Sequence, residues 1–139
     1  MDVCTQATTT VPCEPAAVAW ARRWTRLELA RVYAGLGDAS SDTETVVSEL
    51  VTNALQADCH HLSLTLNAHH SYVRITTGDD APGDPVLQHP TADESHGRGL
   101  LIVAALSTCW GVDYHNGRKR VWADVPLTGN VGPSFHCGE

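Results

Sequence analysis

Apolar and polar positions alternate along this chain with a period that changes several times, and each change predicts an element. Trp20, Trp24 and Leu27 recur at helical spacing between Ala16 and Leu36, with Pro15 suited to a first turn and Gly35 and Gly37 supplying a stop. Arg22 and Arg26 fall on the side away from the tryptophans. A second helix is predicted from Ser41-Asp42-Thr43-Glu44, which reads as a capping box, to about Ala57. Val47, Leu50, Val51, Ala54 and Leu55 form its apolar stripe. The period then drops to two. Leu62, Leu64 and Leu66 alternate with Ser63, Thr65 and Asn67; after a turn at His69-His70-Ser71, Val73, Ile75 and Thr77 alternate with Arg74 and Thr76. Two such runs predict an antiparallel hairpin with one buried face.

Residues 78–99 are rich in Gly, Asp and Pro, and a loop of that length inside a small domain reads as a lid or binding loop. Gly97-Arg98-Gly99 closes it, and the apolar run from Leu100 to Leu106 is expected to be a buried helix. Trp110–Tyr114 and Arg120–Val125 flank His115-Asn116-Gly117, a strong hairpin signal. Residues 1–15 predict a short strand or extension ending near Pro12, 16–126 the domain proper, and 127–139 a frayed tail. The fold class expected is α+β, a two-layer sandwich of helices on a mostly antiparallel sheet.

Composition narrows the function. The chain has 139 residues, 42% of them hydrophobic, which is enough for one core. Its formal charge is −7 with only nine Lys and Arg residues, which argues against a nucleic-acid partner. Five cysteines without a CxxC pair point to reduced thiols, not to a disulfide framework or zinc site. There is no leader-like N-terminus and no run of membrane-spanning length, so the expected setting is cytoplasmic and off the membrane. The pairs His60-His61 and His69-His70 are expected to point apart or into solvent.

Three features carry chemistry. Glu49 and Asn53, four residues apart, stand on one side of the second helix, roughly opposite Leu50, Val51 and Ala54. Taken alone this is a solvated face. Asp79 ends a strand, where a carboxylate serves as a turn residue or accepts a hydrogen bond from an exocyclic amine. Gly97-Arg98-Gly99-Leu100 opens a helix whose backbone N–H groups suit an anion.

Together, Ser48-Glu49-Leu50-Val51-Thr52-Asn53-Ala54, Asp79, Gly97-Arg98-Gly99-Leu100 and Val121-Trp122-Ala123 resemble the Bergerat (GHKL) ATP-binding domains over about residues 16–125. More narrowly they resemble the single-domain anti-sigma-factor serine kinases. The resemblance implies ATP or ADP with Mg²⁺ as cofactors. It implies that Asn53 coordinates the Mg²⁺, that Glu49 is the general base, and that Asp79 binds the adenine amine. Gly97 and Gly99 would donate backbone N–H groups to the phosphates, with Ala57, Arg98 and Leu100 among the ATP-binding residues. The implied partners are a sigma factor or an anti-anti-sigma (STAS-type) protein, with a homodimer as a further possibility and Arg22, Arg23 and Arg26 as a docking surface. The chain departs from the family's pattern at Ala81, at Ser95 and His96, and at Lys119-Arg120-Val121. Two readings therefore stand: a serine kinase acting on the anti-anti-sigma partner, and a nucleotide-dependent sequestering module with little or no phosphotransfer.

Overall fold

A computed structural model describes residues 5–33, 38–80 and 95–127 of the chain. Its elements run β1 (Thr5–Val11), α1 (Ala17–Val32), α2 (Asp38–Gln56), β2 (Leu62–Ala68), β3 (Tyr72–Asp79), α3 (Ser95–Leu106), β4 (Cys109–His115) and β5 (Arg118–Pro126). The five strands form one sheet in the order β1-β2-β3-β5-β4, with every neighbouring pair antiparallel. The expected α+β sandwich is what forms. Among the described residues no helix is long and apolar enough to cross a membrane.

The period-two pattern builds this sheet directly. Leu62, Leu64 and Leu66 of β2, Val73 and Ile75 of β3, and Val121, Ala123 and Val125 of β5 turn to the same face and are buried there. Val46, Val47, Leu50, Val51 and Ala54 of α2 cover them and complete the core. The β4–β5 hairpin turns at Asn116-Gly117, with φ of 53° and 75°. Both lie in the left-handed region that a two-residue type I′ turn requires.

The opposite face of the sheet is polar and is held by charge. Arg74 of β3 donates from Nε and Nη2 to the two carboxylate oxygens of Asp124 on β5, at 2.7 and 3.0 Å. The two residues are register partners, and Asp124 is fully buried. The guanidinium also lies 4.3 Å from the centroid of the Trp122 ring. That indole in turn covers Gly111 on β4, where an added Cβ would come within 2.9 Å of it.

Four expectations need correction. The buried stripe of α1 is Ala17, Ala21, Thr25 and Leu29, while Trp20 and Leu27 are 38% and 58% exposed. Small residues let α1 approach α2 and the sheet closely, so the large side chains move to the rim. Helix α2 begins at Asp38, not at the Ser41 box, because Glu44 has another task. Its carboxylate accepts from Nε and Nη2 of Arg26 on α1, at 3.2 and 2.9 Å, with Arg22 at 4.0 Å. Two of the three arginines expected to face a partner are thus engaged within the chain. Among the described side chains of α3, Leu100 and Val103 are buried, while Leu101 and Ile102 are exposed. Finally, His69 is buried, its ring stacked on Tyr72 with centroids 4.2 Å apart. The expected lid over 78–99 is strand at Gly78–Asp79 and helix from Ser95, while its stretch 81–94 and the tail beyond 127 lie outside the described residues.

Asp80 ties the start of β2 to the end of β3. Its carboxylate accepts from the backbone N–H groups of His60 and His61 at 2.9 Å each, and pairs with His61 Nδ1 at 2.8 Å. The bond from the His61 ring, followed by the two backbone bonds, holds the Asp80 carboxyl well below the usual carboxylate range. A depressed folded value stabilises above the unfolded value of about 4, and the contribution is lost as pH falls through the folded value. Asp80→Asn should therefore lower the melting temperature near pH 6, and the gap from wild type should close below about pH 4. Thermal melts across that range check this. For the Arg74–Asp124 pair, Asp124→Ala removes the counter-charge and both hydrogen bonds of a half-buried guanidinium and should cost about 1–3 kcal/mol in urea denaturation.

Candidate functional site

The last turns of α2 bring its polar residues to the Asp79 end of the sheet. The helix closes in a Schellman motif, with Asp58 N–H donating to Leu55 O at 3.1 Å and Cys59 N–H to Ala54 O at 3.2 Å. Asp58 takes the left-handed position at φ 62°, where Gly is usual. The motif turns the chain back on itself and delivers Cys59 to the core. Burial, then the neighbouring Cys13 thiol and the charges of Asp79 and Asp80, push the Cys59 thiol up to about 12. The next two N–H groups, of His60 and His61, donate to the Asp80 carboxylate, so this turn lies against the end of β3.

On α2, Asn53 is buried at 7% exposure, in line with Val46 and Leu50. This corrects the expectation that Glu49 and Asn53 stand roughly opposite Leu50, Val51 and Ala54. Glu49 is half-buried one turn earlier. Asn53 thus lies on the buried arc of the helix. Its own carbonyl accepts from Ala57 N–H at 3.1 Å, and Ala57 is half-buried.

Asp79 is the last residue of β3 and continues its inner-face series of Val73, Ile75 and Thr77. Its register partners are Leu62 on β2 and Lys119 on β5. It is 1% exposed, and Lys119 is 4% exposed with Nζ 3.9 Å from Asp79 Oδ2. A buried carboxylate is costly unless charge or hydrogen bonds compensate it, and the lysine supplies the charge. Lys119 was missed as a site residue. The signal was present, because Lys119, Val121, Ala123 and Val125 alternate and so share the covered face.

Gly97, Arg98 and Gly99 lie within the first turn and a half of α3, which begins at Ser95 and not at the glycines. Leu100 is buried. Helix α3 packs on α2 and makes lighter contact with β4 and β5. Glu49, Asn53 and Ala57 on α2, Asp79 on β3, Lys119 on β5 and the glycine turn of α3 thus come from elements that pack on one another. Among the described residues no group of three or more His, Cys, Asp or Glu is arranged to hold a metal. The described cysteines Cys13, Cys59 and Cys109 are free thiols.

Two concavities lie elsewhere. One of about 690 Å³ opens between the end of α1, β1 and the β2–β3 turn, lined by Leu29, Tyr33, Leu66 and His69 among others. The other, of about 230 Å³, sits on the open face of the sheet around Arg74, Trp122 and Arg120. Neither includes a residue singled out for binding chemistry.

No curated protein matches the chain at a significant level. The family model for the histidine kinase-like ATPase domain matches residues 11–124, from the last residue of β1 to the buried Asp124. With the five-stranded sheet and the three helices in place over that span, the chain belongs to the histidine kinase-like ATPase domain family, an ATP-binding fold of the GHKL type.

Proposed function

We propose that this domain binds Mg-ATP in the corner between α2, the end of β3 and the start of α3, and uses it to control a protein partner. The observation that carries the reading is the burial of two polar side chains, Asn53 on α2 and Asp79 at the end of β3, on elements that pack against each other. Buried polar groups are retained where they meet a partner.

Asp79 accepts a hydrogen bond from the exocyclic amine of adenine. Asn53 would hold Mg²⁺ through its amide oxygen, a cation that needs few protein ligands. That fits one buried amide without a carboxylate cage. The Gly97 and Gly99 N–H groups face the phosphates from the start of α3, where the helix dipole favours negative charge. Glu49, one turn before Asn53, is the general base that takes the proton of a serine hydroxyl as it attacks the γ-phosphate. The phosphoryl group passes to that serine oxygen and ADP leaves. Bound Mg²⁺ supplies charge neutralisation along the phosphates.

The partner chemistry this supports is a serine on an anti-anti-sigma (STAS-type) protein, with a sigma factor held in the alternative state. Cytoplasmic location and regulation of transcription follow from that reading. The departures at Ala81, Ser95 and His96 favour the second reading, in which nucleotide binding controls partner capture with little phosphotransfer.

Millimolar Mg-ATP or ADP should raise the melting temperature by several degrees, since ligand at a hundredfold its Kd adds about 2.7 kcal/mol. Asn53→Ala should reduce that rise; no rise in the wild type would overturn nucleotide binding. With γ-labelled ATP and a STAS-type partner, label should reach a partner serine and fall by at least about a hundredfold in Glu49→Gln. Transfer absent from the wild type, with partner binding still nucleotide-dependent, selects the sequestering module.

A further inference from the structure

Lysine is almost never fully buried unless it is paired, because its ammonium loses hydration. Lys119 is 4% exposed, and its charge is balanced by Asp79 at 3.9 Å. That distance is ion-pair range but beyond a hydrogen bond, so the pair satisfies the charge of Lys119 without using its N–H donors. Among the described residues Lys119 has this ion pair and no hydrogen bond. The position is fixed by the sheet. Asp79 and Lys119 are register partners on adjacent strands, at the end of the helix-covered face, with Leu62 on one side and Tyr114 on the other.

Side by side, a carboxylate oxygen and an ammonium present one acceptor and one donor in fixed order. The Watson–Crick edge of adenine offers the complement, an exocyclic N6 amine that donates beside a ring N1 that accepts. Reading a base through that edge is a general device for enclosed bases. We propose that Lys119 is a base-specificity residue that donates a hydrogen bond to N1 of adenine while Asp79 accepts from N6. The proposal rests on the adenine role of Asp79 given under Proposed function and adds a second contact to it. An ammonium donor also explains why a strand otherwise committed to Val121, Ala123 and Val125 on this face begins with a lysine.

The test is a cycle of two nucleotides and two proteins, read as dissociation constants by calorimetry. ATP is compared with 1-deaza-ATP, which keeps the N6 amine but replaces N1 with C–H, on wild type and on Lys119→Met. A charge-assisted hydrogen bond predicts that wild type binds 1-deaza-ATP roughly tenfold more weakly than ATP. Lys119→Met should bind ATP roughly tenfold more weakly than wild type and bind the two nucleotides equally. Lys119→Gln, which keeps a donor and removes the charge, should retain part of the preference and serves as the test if the Met variant does not fold. The proposal is overturned if the variants keep the full preference for ATP over 1-deaza-ATP. It is equally overturned if Lys119→Met binds ATP more tightly, for then the lysine is a counter-ion that nucleotide must displace. Wild type binding neither nucleotide would instead remove the ATP reading beneath it.

Discussion

Everything at the candidate site depends on strand β3 holding its register between β2 and β5. Side chains on a strand alternate between faces, so a slip of one residue would turn Asp79 from the covered face to the open one. The Arg74–Asp124 pair forbids that slip. It joins the two register partners through two hydrogen bonds, with the aspartate fully buried, and Trp122 packs over the guanidinium. A slip would separate the charges and leave Asp124 uncompensated inside the protein. The polar network on the open face therefore fixes, through the backbone, which residues meet the helices on the other.

The same logic extends outwards from β3. Asp80, one residue past the strand, clamps the backbone of His60 and His61, and this seats the turn that follows α2. The Schellman closure of α2 then turns the chain from its last helical residues back towards β2, which pairs with β3. On the far side of α2, Glu44 accepts the Arg26 fork and locks the helix against α1. The site is thus a consequence of how one helix is held at both ends, and its polar residues sit on regular elements.

Where side-chain period alone decides the structure, the sequence was informative. The alternations in β2, β3 and β5, the apolar stripe of α2 and the Asn116-Gly117 turn all formed as read. What period alone does not decide was read less well. Helix α1 buries alanines, because closeness of approach outweighed the size of Trp20 and Leu27. The Ser41 box did not start α2, because Glu44 gains more from Arg26 across the helix pair than from a backbone N–H. The apolar run of α3 reads as a buried helix, but among its described side chains Leu100 and Val103 are buried while Leu101 and Ile102 are exposed. Asn53 was assigned to the wrong side because polarity was taken as a sign of exposure. The same assumption hid Lys119. Both residues are polar and buried, and what marks them is their place in a repeat shared with apolar neighbours, Val46 and Leu50 for Asn53 and Val121 and Ala123 for Lys119.

Whether this corner or the cavity near Tyr33 and His69 takes nucleotide is the most direct question about the account. Amide chemical shifts of the labelled protein, followed while a non-hydrolysable Mg-ATP analogue is added, answer it. The account predicts saturable shifts at Glu49, Asn53, Ala57, Asp79, Gly97, Gly99 and Lys119, with Tyr33, His69 and His70 unmoved. Shifts concentrated on Tyr33, Leu66 and His69, with the Asn53 and Asp79 amides still, would contradict it.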